Sequence, residues 1–389
     1  MSGFTPFFFL LALSGTLAWS QDTTAKTPPA HPATRPQEPT PQKPLDWFRR
    51  ADDLTNIRLP ASPPFHMKVA FHAFPGIDYA DPGKSAILTG DGTYEETWLS
   101  PETWRREVTL GTYHAIEVRA DGVRKFQANS DYEPSRVLML LRTLYYPVPR
   151  RTLEPELQEK HSRWKIEHLA AGALPYVRIS LEEESSSSGP LSESFEFLPN
   201  GTLIRSSDLN GLVETWQKNL PFASKQVPRH IEIQGDGLDG IMVAADVEIG
   251  PLPPANSTIV QISGDAAAPG LTLRPLDQPD VKSTYSAIHF EAPQNAVQGG
   301  GANDAPPGVM IHAIAVIDRA GMPREAEMSG IRRYGQPILS SQLPALAAIA
   351  QHMVESLHKD RFHPGLVDGN PCQYVMSLSV WTTPYVQSG

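Results

Sequence analysis

Nine consecutive residues near the C-terminus, Val309 to Ile317 (VMIHAIAVI), constrain this chain more than any other stretch. An almost unbroken apolar run of that length, closed by a turn, suits a strand buried on both faces. The turn is Asp318-Arg-Ala-Gly321, with glycine where a positive φ is needed. A second strand is expected near Arg324–Met328. Leu343, Leu346, Ala347, Ala350, Met353, Val354 and Leu357 then fall on one helical face, with Ser341 as a cap and Pro344 in the first turn. After Arg361-Phe-His-Pro364 and a tight turn at Asp368-Gly-Asn-Pro371 comes a last strand, where Tyr374, Met376, Leu378 and Val380 alternate with Gln373, Ser377 and Ser379. Residues 308–389 therefore read as a three-stranded antiparallel sheet with one helix.

The order of these pieces resembles the C-terminal domain of TonB-type energy transducers, over about residues 308–382. The family pattern of strand, DxxG, strand, helix, Arg-Phe-x-Pro, Gly-x-Pro and strand is met by Asp318, Gly321, Arg361, Phe362, Pro364, Gly369 and Pro371. Two family features are missing: a Tyr-Pro pair at the start, and the tryptophan before Arg-Phe, where His358-Lys-Asp360 stand. The resemblance implies a periplasmic, non-enzymatic protein of a Gram-negative bacterium, linked to outer-membrane transport. Its last strand would add to an extended segment of a partner, such as an outer-membrane receptor or its peptide. The residues offering that edge would be Gln373, Val375, Ser377, Ser379 and Trp381.

The body of the chain, residues 62–264, has a β pattern. Phe65, Met67, Val69, Phe71 and Ala73 alternate with His66, Lys68 and His72. Further strands are expected at Thr93–Leu99, Trp104–Leu110, Tyr113–Arg119, Val123–Ala128, Tyr176–Leu181, Glu193–Leu198, Thr202–Ser206, Arg229–Gln234 and Ile241–Ile249. A helix is expected from Pro134 to Tyr145, on a stripe of Val137, Leu138, Leu141, Leu144 and Tyr145. Strands in meander order with one or two helices predict an α+β fold: an antiparallel half-barrel followed by the small C-terminal domain. "GDGTYEETWLSPETWRREV" and "LPFASKQVPRHIEI" give residues 63–263 a resemblance to periplasmic lipoprotein-carrier and lipoprotein-sorting proteins. That resemblance implies a carrier in which the half-barrel cradles a lipid.

The N-terminus reads as a targeting segment. Phe7 to Leu17 is apolar and too short for a ~20-residue span, and Ala18 and Ser20 are the small residues a peptidase needs, so residues 1–20 are expected to be cut away. Met1 to Pro6 lacks the usual basic residue, and an uncleaved membrane anchor is the alternative. Residues 21–61 combine a Pro-rich spacer with an amphipathic segment from Leu45 to Leu59, and residues 265–307 form an interdomain connection. A net charge of −10 disfavours nucleic acid, which selects a basic face. The lone Cys372 rules out an internal disulfide and a cysteine-cluster metal site.

The chain contains no G-x-S-x-G, no phosphate-cradling glycine loop and no H-E-x-x-H. His352 and His358 lie six apart, on different faces of their helix, so they do not make a zinc pair. Glu95 and Glu96 are adjacent in a strand and point to opposite faces, which excludes a paired acid and base. The expectation is a protein without enzymatic activity, cofactor or metal.

Overall fold

The computed structural model describes residues 43–75, 87–120, 122–145, 147–148, 162–171, 174–183, 192–208, 211–237, 240–252, 308–333, 338–359, 361–367 and 370–381. The targeting segment, nearly all of the Pro-rich spacer and the 265–307 connection lie outside them, as does Gly369.

The chain enters through α1 (Pro44–Thr55), where proline at the first position costs no hydrogen bond and Trp47, Phe48 and Ala51 form the buried stripe. Five strands follow as a meander: β1 (Phe65–Ala73), β2 (Gly90–Ser100), β3 (Thr103–Leu110), β4 (Tyr113–Ala120) and β5 (Val123–Ala128). Strict alternation of buried and open residues along β1 shows one face on the core and one in water. Helix α2 (Ser135–Tyr145) comes next, buried on almost every side. A second meander contains β6 (Ser162–Ala171), β7 (Leu174–Glu183), β8 (Ser192–Phe197), β9 (Leu203–Ser207) and β10 (Leu212–Gln217). After a short ribbon of β11 (Leu220–Phe222) and β12 (Lys225–Val227), it ends in β13 (His230–Gly235) and β14 (Ile241–Pro251).

The two meanders join where β1 pairs with β14, with Val69 opposite Val247. The result is one antiparallel sheet of 12 strands, in the order β5-β4-β3-β2-β1-β14-β13-β10-β9-β8-β7-β6. Its inner face, from Phe126 on β5 to Ile179 on β7, belongs to a single apolar core that also takes in α1 and α2. Aromatic rings fill that face. Phe48 packs edge-on to Phe195, Phe197 and Trp164, and Phe65 stacks on Trp98 with centroids 5.4 Å apart. The concavity expected of a half-barrel is therefore occupied by the protein's own helices and rings.

A smaller antiparallel sheet, in the order β16-β15-β19, is built from β15 (Val309–Ile317), β16 (Pro323–Arg333) and β19 (Tyr374–Trp381). Helix α3 (Leu343–Lys359) covers one side, and a ribbon of β17 (Gly365–Val367) and β18 (Asn370–Cys372) precedes the last strand. All nine residues of β15 are buried. Val309, Ile311, Ala313, Ala315 and Ile317 lie in the core under α3, while Ile314 belongs to the large core beside α2. The small sheet is thus covered on both sides, which is why its first strand has no polar alternation. The fold is α+β, dominated by antiparallel sheet with three α-helices among the described residues.

The turn before β16 is fixed by Asp318. Its Oδ1 accepts from the amides of Ala320 and Met322, and Oδ2 accepts from Arg324 Nε at 2.6 Å. Gly321 has φ +77°, and a Cβ there would sit 1.9 Å from the Phe362 carbonyl oxygen, so only glycine fits.

Candidate functional site

Where α2 meets the small sheet, the two surfaces leave a cavity of about 130 Å³. Ser135, Leu138, Met139 and Arg142, spaced by three and four, form the α2 wall. Opposite are Ile314 and Val316 of β15, Glu325 and Glu327 of β16, Gln373 just before β19 and Val375 within it, with Leu212 and Glu214 of β10 at the side. Helical spacing and strand alternation thus bring one stripe of α2 against the second face of the small sheet. The walls are mainly apolar. Charged groups sit at its ends, with buried Glu325 and Glu327 at one and half-exposed Arg142 at the other.

Each charged group has a defined partner. Arg136, wholly buried, holds Glu327 through both guanidinium nitrogens, one at 2.7 Å from Oε2, and its Nε donates to the Phe74 carbonyl. Glu325 Oε2 accepts from the Ser135 amide at 2.7 Å, so a carboxylate of the small sheet caps the first turn of α2. Tyr132 Oη donates to the other oxygen at 3.4 Å. Glu214 accepts from Thr143 Oγ1 and Ser206 Oγ, and Arg142 pairs with Asp208 at 2.7 Å. Burial pushes the carboxyls of both Glu325 and Glu214 above the ordinary range.

The contact between the small sheet and the large one is polar as well. Arg332 reaches Asp236 and Ser207, and the Ile331 amide donates to the Asp236 carbonyl at 2.8 Å. Gly211, with φ +74°, lies against the His312 ring, where a Cβ would come within 2.9 Å of His312 carbons. His312 is buried, and burial together with Arg332 lowers its pKa to about 4, which keeps the ring neutral.

A second charged group lies within the large core. Glu96, completely buried, accepts from Arg58 Nη2 at 2.5 Å and Arg106 Nε at 3.2 Å, with Glu117 and Arg124 continuing the row across β4 and β5. Arg106 lies over the rings of Trp104 and Tyr145, at 4.0 and 4.1 Å from their centroids. Glu95, its neighbour in sequence, points to the other face and meets His66. Through the Arg58 bond to the Leu144 carbonyl, the row ties α2 to the sheet.

Of the residues expected to form a recognition edge, Gln373 is buried, exchanging hydrogen bonds with the Glu133 amide and carbonyl. Val375 is 42% exposed and borders the cavity. Ser379 Oγ lies 2.8 Å from His312 Nδ1 on the neighbouring strand. The side chains of Ser377 and Trp381 are outside the described set. Gln373 and Val375 thus border the cavity beside α2, and Ser379 meets a buried histidine of its own sheet. Glu325 and Glu327 escaped the sequence reading although they sit two apart in β16, a spacing that puts both on one face. Glu214 escaped because β10 was not expected. Among the described residues no cluster of three or more His, Cys, Asp or Glu side chains is arranged to hold a metal.

The fold and its cavity define the class: an α+β protein in which a long antiparallel sheet wraps two helices and a small sheet closes over one of them. No family model and no curated protein matches the chain. Among solved structures, a LolA superfamily protein from Nitrosomonas europaea is similar at 11% identity and a TM-score of 0.32, over 56% of this chain and 99% of that one.

Proposed function

We propose that the chain is a non-enzymatic periplasmic carrier that holds an apolar ligand between α2 and the small sheet. The observation that supports this reading is the largely apolar cavity walled by Leu138, Met139, Leu212, Ile314 and Val316, with its exposed border at Val375. Its roughly 130 Å³ approaches the ~150 Å³ apolar cavity that admits benzene. A ring or a short alkyl segment fits as the protein stands; a whole acyl chain requires α2 and the small sheet to part. Native mass spectrometry of protein purified from its own periplasm tests this, with a lipid-sized adduct as the expected result. Val375→Trp, at the exposed border, should exclude the adduct without disturbing the core. A bare polypeptide mass from the native source, with no uptake of an added apolar fluorophore, overturns the carrier reading.

A second reading rests on β19, which has β15 on one side and, among the described residues, no strand on the other in its sheet. Such an edge is able to add an extended peptide through main-chain bonds. A Ser377→Pro variant that keeps its melting profile should lose a partner peptide that Ser377→Ala retains. Equal binding by both removes strand addition.

A further inference from the structure

The carboxyl groups that border the cavity outnumber the cations. Glu214, Glu325 and Glu327 face it, against Arg142 alone. Arg142 is already engaged by Asp208 at 2.7 Å and lies 3.9 Å from Glu214, and the Glu327 charge is answered by Arg136 behind it. Glu325 is different. It is 1% exposed and is held by the Ser135 amide and side chain and by the Tyr132 hydroxyl; Arg136, already bound to Glu327, acts on it only from longer range, and no cation lies at ion-pair distance among the described residues. Beside it lies the Ser135 hydroxyl, also buried, whose interaction favours the charged form of the Glu325 carboxyl. A buried carboxyl whose nearest cation already serves another carboxylate is held at a cost that an arriving cation lowers and an arriving anion raises.

From this arrangement we infer that the cavity selects its ligand by charge: it takes a short apolar chain ending in an ammonium group in preference to the same chain ending in a carboxylate. The ammonium sits against Glu325 and donates to its carboxyl and to Ser135 Oγ, while the hydrocarbon lies along Leu138, Met139 and Ile314. The inference rests on the carrier reading, and its test separates the two. Titration calorimetry of the whole mature protein with n-hexylamine, n-hexanol and hexanoate, at neutral pH and one ionic strength, measures the three affinities. The amine should bind at least about tenfold tighter than hexanoate, the scale of one charge-assisted hydrogen bond. Glu325→Gln, which keeps an acceptor for the Ser135 amide, should bring the amine down to the level of the alcohol, with the melting profile measured alongside. Hexanoate binding as tightly as the amine, or an amine preference that survives Glu325→Gln, overturns the charge selection while leaving the carrier intact. Failure of all three probes to bind overturns both.

Discussion

Arg136→Met removes the one cation that answers Glu327 at the junction of α2 and the small sheet. Both side chains are buried, at 0% and 2% exposure, and they meet through two charge-assisted hydrogen bonds. Arg136 also donates to the Phe74 carbonyl at 3.1 Å. Its loss leaves a buried carboxylate and a part-buried carbonyl oxygen without their donor, for which the expected cost is about 3–5 kcal/mol. Methionine covers part of the vacated apolar surface, so the lower half of that range applies at neutral pH. Adding Glu327→Leu removes the stranded charge and should recover about 2 kcal/mol or more, while the Phe74 carbonyl stays unpaired at a cost of about 1–3 kcal/mol. Urea unfolding of parent, single and double variants, followed by tryptophan fluorescence, gives the coupling energy of the pair. A single-variant cost below about 1 kcal/mol, or a double variant no more stable than the single, would show that the pair is not a buried lock between α2 and the small sheet.

Burial pushes Glu96 up, but Arg58 and Arg106 more than offset it and hold the carboxyl below its ordinary value. Its stabilisation is therefore complete above the usual carboxylate range and is lost as pH falls through its lowered pKa. Glu96→Gln should cost about 3–5 kcal/mol at neutral pH and converge on the parent in acid, as read from melting curves across pH. Glu325 runs the other way: burial raises its pKa, so its contribution is present below the ordinary value and lost as pH rises through the raised one. Glu325→Gln should melt above the parent at neutral pH and no higher in acid, and identical pH profiles would contradict the assignment. Gly211→Ala places a Cβ on a positive-φ residue against His312, and a loss of about 1–3 kcal/mol in urea midpoints is expected. An unchanged midpoint would mean that the small sheet does not need this close approach.

Much of the backbone was legible in the order of residues. Period-2 alternation in Phe65–Ala73 and the strands after it, and the apolar stripe from Val137 to Tyr145, are local signals that burial on one side writes directly into sequence. The doubly buried Val309–Ile317 strand and the Asp318–Gly321 turn were legible for the same reason. Strands β6 and β10 were not. The charged residues of β6 (SRWKIEHLAA) suit a strand that, among the described residues, pairs only with β7, and β10 buries a glutamate that reads as a surface residue. The cavity had no local signature at all. Its walls come from α2, β10, β15, β16 and β19, and its defining ion pair joins residues 191 positions apart. Sequence determined which residues seek an apolar face, because that preference follows from each side chain and its near neighbours. Tertiary structure decided which carboxyls were left in that face and what answered them, because a buried charge takes its meaning from a partner that only folding brings within reach.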